Sequence, residues 1–181
     1  MTTFNRRRSF SIVAVLALAI TIAAAPLQEA KRGDARGAEQ AKEVLARFIG
    51  AWNTTIVMGD AEPVEGTSIV RPIEGSTFVT EEMHAELFGD AYMGIGVMGY
   101  DQVKNAWVSM WVDSAESTLN VGTSTWDAES QSMIERVPAR GETPAQLHVA
   151  RFTDKDSFVF VAGPDVAEFK PEMVIQYKRH K

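Results

Sequence analysis

From Trp52 onward, apolar and polar residues alternate with a period of two in short stretches. This period is typical of β-strands, because successive side chains of a strand point to opposite faces of its sheet. Segments rich in Gly, Pro, Asp, Asn and Ser, the residues of tight turns, separate the stretches. We predict ten strands, over residues 52–58, 67–71, 77–86, 93–100, 106–113, 118–125, 132–137, 146–152, 157–161 and 172–178.

Ten short strands that recur at such close spacing favour an antiparallel sandwich or barrel. No stretch after residue 50 has the long helical pattern that a βαβ fold requires. Ahead of the strands, residues 39–48 place Ala41, Val44, Leu45 and Phe48 at helical spacing, and Gly50 follows. The sequence therefore predicts a mainly β fold: one short amphipathic helix, then a single antiparallel barrel of about ten strands.

Several predicted strands are apolar on both faces. In residues 106–113, Trp107 and Trp111 share one face, whereas Val108, Met110 and Val112 share the other. A sheet with one face in water would be apolar on its buried face only. We therefore expect either a helix on the outside of a closed barrel or a homodimer of two barrels.

The N-terminus has the pattern of a secretory signal, with a basic head followed by an apolar run that ends at Ala25. The run is short for a mature membrane span, so we expect none after processing. Arg7, Arg8 and Phe10 also match the twin-arginine pattern R-R-x-F. We expect a signal peptide at residues 1–25, a linker at 26–38, a barrel domain at 39–181, and a periplasmic or secreted protein.

The expected domain is acidic and contains no cysteine. The formal net charge is −6 at pH 7, and removal of the signal would also remove Arg6, Arg7 and Arg8. An acidic domain is a poor partner for a phosphate backbone, so we exclude nucleic-acid binding. Without cysteine, neither a disulfide nor lipidation at a lipobox can occur.

One nucleotide-binding motif matches the sequence but lacks the structural context that such a motif requires. Gly94, Gly96 and Gly99 match G-x-G-x-x-G, but they lie within a predicted strand that leads into another strand. A dinucleotide fingerprint needs a helix start after the glycines, so that backbone amides face the pyrophosphate. Small residues that let the barrel bend, or let another chain segment approach, are the better interpretation.

Residues with catalytic or metal-ligating chemistry are scattered. The three histidines have no metal-ligand spacing, so we expect no metal and no cofactor, with haem bound by a single histidine such as His148 as the alternative. No nucleophile elbow occurs, and acidic pairs such as Glu81 and Glu82 are usually solvated. These observations disfavour an enzyme.

The candidate ligand-binding residues combine aromatic and polar groups that alternation directs toward a barrel interior. Trp107, Ser109 and Trp111 share one strand face, and His148 is opposite in parity to its apolar neighbours Leu147 and Val149. An apolar pocket with a few polar groups is typical of small-molecule sites. We predict a site from Trp107, Ser109, Trp111, His148 and Arg151.

Several segments stand in a characteristic order: a helix leading into Gly50-Ala51-Trp52, then Gly99-Tyr100-Asp101, Trp111-Val112-Asp113 and Gly122-Thr123, and a closing strand over residues 173–179. This order and spacing resemble the bacterial DUF1579 family. The resemblance covers nearly all of the expected domain. It implies a lipocalin-like, calycin-type β-barrel with no established activity.

Barrels of the calycin type share a closing contact, and this chain has the residues for it. Trp52 opens the first predicted strand and Arg179 follows the last, and these two strands are neighbours in a closed barrel. The resemblance implies that the Arg179 guanidinium lies over the Trp52 indole and shuts the barrel bottom. It gives both residues a structural role.

The sequence thus predicts an exported calycin-like barrel that binds a small, largely apolar ligand. The alternative is a structural or partner-binding barrel with a filled interior, and an enzyme acting within the barrel is the least favoured. A cavity of roughly several hundred Å³ would separate the first two.

Overall fold

The computed structural model describes residues 35–116 and 118–181. The predicted signal peptide at residues 1–25 lies outside the described residues. The elements are α1 (Ala35–Phe48), β1 (Gly50–Met58), β2 (Val64–Pro72), β3 (Phe78–Leu87), β4 (Asp90–Asp101), β5 (Ala106–Asp113), β6 (Asn120–Asp127), β7 (Ser132–Val137), β8 (Gln146–Phe152), β9 (Ser157–Pro164) and β10 (Met173–Arg179).

The ten strands form one closed antiparallel barrel. Each strand pairs with its neighbours in sequence, and β10 pairs with β1 to complete the ring. Closure pairs both edges of each of the ten described strands, which removes the template for edge-to-edge aggregation in this part of the chain. The predicted fold class, a mainly β antiparallel barrel of about ten strands with a short N-terminal helix, is confirmed.

Element bounds agree with the prediction where clear turn residues flank a strand. Strands β5, β7 and β8 begin and end at the predicted residues. Strand β2 begins earlier, at Val64, because the hairpin continues the ladder until Val64 pairs with Ile56. Helix α1 begins at Ala35, inside the predicted linker, and its Gly37 lies against the Tyr100 ring, where a side chain would clash.

Helix α1 closes one end of the barrel. Its apolar face is buried in the core, and Phe48 packs edge-on against Phe152 and Phe158, with ring centroids 4.7 and 5.4 Å apart. The Arg47 guanidinium carbon lies 4.0 Å from the centroid of the Phe152 ring. These contacts lie beside the β8–β9 turn, so the helix covers the barrel bottom. A helix on the outer wall, one of our two explanations for strands that are apolar on both faces, is therefore wrong.

The outer wall is covered in one region by the connection between β9 and β10. Phe169 of this connection packs on a buried cluster of outward side chains, Leu147, Val149 and Val161. On β4, β5 and β6, by contrast, outward apolar side chains are exposed: Ile95, Met110, Val112 and Val121. The outward apolar side chains are therefore covered by the β9–β10 connection in one region and are exposed to solvent on β4, β5 and β6.

Among the helices of the described residues, none has the length and apolar character needed to cross a membrane.

Candidate ligand-binding cavity

The barrel interior is not filled by side chains. A cavity of about 1300 Å³ extends from Phe48 at the closed end to the loops at the other end. Small-molecule sites usually measure roughly 300–1,000 Å³. Most of the deep lining is apolar or aromatic: Ile56, Val70, Val79, Met83, Met98, Met133, Phe158, Phe160 and Ile175.

A hydrogen-bonded polar group lies on one wall of the cavity, centred on Glu135. The Ser109 hydroxyl donates to Glu135 Oε1, and Nδ1 of His148 lies 2.9 Å from Glu135 Oε2. The side chains of His148 and Glu135 are 21% and 18% exposed. Ser124 pairs with Glu135 on the adjacent strand and also lines the cavity. Inward positions on β5 to β8 therefore meet at one polar surface.

A second carboxyl group, Glu81, lies four strands away around the barrel. Its Oε1 accepts hydrogen bonds from the Ser68 hydroxyl at 2.7 Å and the Tyr177 hydroxyl at 3.1 Å. Burial raises the pKa of Glu81 above its ordinary value of 4.5, against the opposing effect of these two hydrogen bonds. Burial also raises the pKa of Tyr177, and the neighbouring Glu81 carboxyl adds to that shift.

Trp111 forms part of the wall between these two groups. Its indole Nε1 donates to Asp113 Oδ2 at 3.1 Å. Tyr92 lies nearby, and burial together with the charge of Asp113 raises the pKa of Tyr92 to about 12. A phenol with this pKa stays protonated at neutral pH and remains a hydrogen-bond donor.

The glycines of the G-x-G-x-x-G stretch make room for this tryptophan. A Cβ atom at Gly94 would lie 2.1 Å from Cζ2 of Trp111, and one at Gly96 would lie 2.7 Å from its Cε3. The indole therefore lies directly over β4, because Gly94 and Gly96 leave the inner face of β4 without side chains there. We predicted that these glycines let another segment of the chain approach closely, and that segment is β5 with its Trp111 side chain.

Of the five predicted site residues, the structure brings three to the cavity. Ser109, Trp111 and His148 line it. Trp107 points inward but is buried near the closed end, where its ring packs edge-on against Tyr100 at 5.8 Å. Arg151 lies on the outer face of β8, because the inward positions of that strand are His148, Ala150 and Phe152.

The two residues expected to close the barrel contact each other. The Arg179 guanidinium carbon lies 4.2 Å from the centroid of the Trp52 ring, and the two residues are paired in the β1–β10 ladder. Arg179 Nη1 and Nη2 donate to the carbonyl oxygens of Ile49 and Arg47, and Trp52 Nε1 donates to Phe48 O. These bonds satisfy carbonyl groups at the end of α1.

Sequence reasoning expected Glu81 to be solvated, which is wrong, and it did not single out Glu135; both line the interior. Glu81 and Glu135 stand between apolar residues of the same parity: Val79 and Met83 flank Glu81, and Met133 and Val137 flank Glu135. A single carboxylate in an apolar strand face was the available signal. It is the sequence mark of a polar group turned toward a barrel interior.

The arrangement at Glu135 is a hydrogen-bonding surface and not a catalytic triad. Ser109 and His148 both bond to the carboxylate, whereas an activated serine would bond to the imidazole. Within the described residues, no group of three or more His, Cys, Asp or Glu side chains is placed to hold a metal ion.

A family model described as a protein of unknown function (DUF1579) matches residues 38–179. The chain belongs to the DUF1579 family. The match begins within α1 and ends at the last residue of β10, so it covers the whole barrel of this DUF1579 chain. A search of curated proteins finds no match.

Two solved structures are similar to this DUF1579 chain. A redesigned β-barrel is 9% identical and covers 76% of this chain and 96% of its own, with a TM-score of 0.42. The S-type phycobiliprotein lyase CPES from Guillardia theta is 11% identical and covers 77% and 92%, with a TM-score of 0.49. At these values, neither likeness bears on what a DUF1579 chain binds.

Proposed function

We propose that this chain is an exported binding protein that holds a small, largely apolar molecule inside its barrel. The observation that carries the proposal is the cavity of about 1300 Å³, lined mostly by apolar and aromatic side chains and open at the end opposite α1. A barrel that served only as a scaffold would gain stability by filling this space, because unfilled volume in a core is destabilising.

The lining also bears on haem, the alternative considered for His148. Haem carries two propionate groups, which need cationic or hydrogen-bonding partners when buried. Among the described lining residues there is no lysine or arginine that could pair with them. The residues present therefore fit haem poorly, and an uncharged or basic apolar molecule fits better.

A neutral fluorescent probe tests the proposal. N-Phenyl-1-naphthylamine should bind with a stoichiometry of one per chain and gain fluorescence in the apolar cavity. Ala150→Phe places a large side chain on the cavity lining and should weaken binding about tenfold or more. Ala51→Phe is the matched control, because Ala51 is exposed on the outer face of β1. A stable protein that binds no probe, or one that binds equally well in both variants, would contradict the proposal.

Native mass spectrometry of the mature protein, purified without detergent, complements the probe experiment. We expect a reproducible extra mass on the polypeptide that is lost in the Ala150→Phe variant and retained in Ala51→Phe. The identity of that mass gives the ligand class. A bare polypeptide mass in several preparations would favour a barrel that acts through its outer surface.

That alternative is favoured by one observation, the exposed apolar side chains of β4, β5 and β6. Monomeric proteins rarely leave a large contiguous apolar patch in water. A homodimer is the simplest form of partner binding through this patch. Sedimentation velocity on the mature protein decides it: a monomer at high micromolar concentration counts against a dimer, and Val121→Lys should dissociate any dimer that forms there.

Export belongs to the same proposal and rests on residues 1–25. If the twin-arginine route is used, changing Arg7 and Arg8 to lysine should retain the precursor in the cytoplasm. Immunoblotting of the periplasmic and cytoplasmic fractions measures this. Unaltered export of the double variant would indicate the general secretory route instead.

A further inference from the structure

The ionisable groups that line the cavity are mostly acidic, and His148 is the only basic side chain among the described lining residues. Seven carboxylate side chains line it, and no lysine or arginine does so among the described residues. Four of the acids belong to the loops and strand ends around the mouth: Asp90, Glu116, Glu142 and Glu172. A concave site of low dielectric with charges of one sign focuses its field, raises the local concentration of cations and repels anions. An anionic amphiphile such as a fatty acid is therefore disfavoured.

A second observation places the polar end of a ligand on the Glu135 wall. Ser124 is 8% exposed and lines the cavity beside Glu135, yet its hydroxyl makes no hydrogen bond with any described residue. A buried polar group without a partner loses the hydrogen bonds that it made to water. Ser124 lines the cavity, and a serine hydroxyl can accept a hydrogen bond from an N–H group of a bound molecule.

Glu135 retains capacity to accept a further donor. Ser109 bonds to one of its oxygens and His148 to the other, whereas a carboxylate offers about four acceptor positions. The other interior acids are less suited. Asp113 already accepts from Trp111 Nε1 and from the backbone N–H groups of Ala115 and Glu116.

Glu81 differs from Glu135 in its ionisation. Burial raises the pKa of Glu81, which favours its neutral form, and a neutral carboxyl group attracts a cation weakly. Its Oε1 also already accepts two hydrogen bonds, from Ser68 and Tyr177. Glu135 is therefore the interior acid best placed to face a positive charge.

We propose that the ligand is a cationic amphiphile, an apolar molecule whose protonated amine donates hydrogen bonds to the Glu135 carboxylate and the Ser124 hydroxyl. The apolar part then lies among the methionine and aromatic side chains of the lining, and the acids of the mouth attract the positive end during entry. This inference rests on the proposed function, since it assigns a chemical class to the molecule bound in the same cavity.

Three molecules that share a twelve-carbon chain test the charge preference: dodecylammonium, 1-dodecanol and dodecanoate. Each competes with N-phenyl-1-naphthylamine for the full mature protein, below its micelle concentration. We expect dodecylammonium to bind about tenfold or more tightly than dodecanol, as a charge-assisted hydrogen bond implies, and dodecanoate to bind most weakly.

Variants assign the preference to the proposed residues. Glu135→Gln should reduce the preference for dodecylammonium over dodecanol about tenfold, and Ser124→Ala should reduce it several-fold. The control is Glu65→Gln, which removes the same charge from an exposed position on the outer face of β2. Thermal melts establish that each variant is folded, and Ser124→Ala serves as the test if Glu135→Gln is not.

The outcomes separate the two proposals. If the probe binds but dodecanol or dodecanoate competes as well as dodecylammonium, the cationic ligand is wrong and the binding cavity stands. The same conclusion follows if Glu65→Gln lowers the preference as much as Glu135→Gln does, because the effect would then be net charge alone. If neither the probe nor any of the three molecules binds to folded protein, the proposed function itself fails.

Discussion

At Glu81 a carboxyl group lies among apolar side chains in the lower half of the barrel, with Ser68 and Tyr177 as its hydrogen-bond donors. Burial raises its pKa, so the folded protein either holds a buried charge or binds a proton that the unfolded chain has released. Both cost free energy at neutral pH. An isosteric neutral acceptor at this position removes that cost and keeps the acceptor oxygen.

We therefore predict that Glu81→Gln stabilises the protein at pH 7, raising Tm by roughly 2–4 °C, the shift that about 1 kcal/mol gives in a domain of this size. Well below pH 4.5 the wild-type carboxyl is protonated in both states, so the two proteins converge. As pH rises, the unfolded chain releases its proton first, wild-type stability falls and the gap grows. Thermal melts from pH 3.5 to 8 measure this; a constant gap would contradict the account, and Glu65→Gln on the outer face is the control.

The alternation of side chains along a strand predicts which single residues face the interior, but not how deep they lie. His148 lies toward the interior, as the parity set by its apolar neighbours Leu147 and Val149 predicts. The same rule excludes Arg151 from that face, since an odd separation of three residues reverses the side. Trp107 has the right parity but lies too deep, because position along the strand relative to the closed end depends on the whole barrel.

At the scale of elements, β4 and β5 pack closely because an aromatic ring of β5 lies over two glycines of β4. Trp111 lies over Gly94 and Gly96, and Gly96 is its direct partner in the ladder. The glycines were visible in the sequence, and so was the tryptophan. Their contact was not, because it needs the register of two strands, which single-sequence patterning does not fix.

We predict that Gly94→Ala destabilises the protein by about 1–3 kcal/mol, because its Cβ would lie 2.1 Å from the Trp111 ring and force the ring to move. Probe affinity should fall as well, since the displaced indole would enter the cavity. The matched test is the same substitution in the Trp111→Ala background, where it should cost little, because the clashing ring is gone. Equal cost in both backgrounds, measured by urea denaturation, would assign the effect to β4 backbone instead.

The existence and order of the helix and strands are predictable from the spacing of apolar residues and from the turn residues. The residue at which the helix starts is not. Residues ahead of position 39 are polar and contain Gly33 and Gly37, a composition typical of a linker. Gly37 is nevertheless helical, and it lies so close to Tyr100 that a Cβ atom there would be 2.8 Å from the Tyr100 hydroxyl oxygen. A tertiary contact thus outweighs the low helix propensity of glycine.

At the scale of the whole molecule, the barrel is closed by its first and last strands, and Arg179 joins that closure to the helix. Its guanidinium lies over Trp52, donates to the carbonyl oxygens of Ile49 and Arg47, and bonds to Asp156 at 3.1 Å. One side chain therefore connects β10, the end of α1, the start of β1 and the β8–β9 turn. These contacts link parts of the chain that are distant in sequence.

Removing this connection should weaken the molecule as a unit. We predict that Arg179→Met lowers the free energy of unfolding by about 2–4 kcal/mol, because two carbonyl groups lose their donor and the cation–π contact is lost. Arg179→Lys should recover only part of the loss, because an ammonium group lacks the planar set of donors that reaches several acceptors at once. Lys178→Met is the control, since Lys178 is exposed on the same strand. Urea denaturation of the three variants measures the effect. If Arg179→Met unfolds at the same midpoint as Lys178→Met, the barrel is closed by the β1–β10 ladder and the helix packing alone, and the contact with Trp52 follows from the fold without stabilising it.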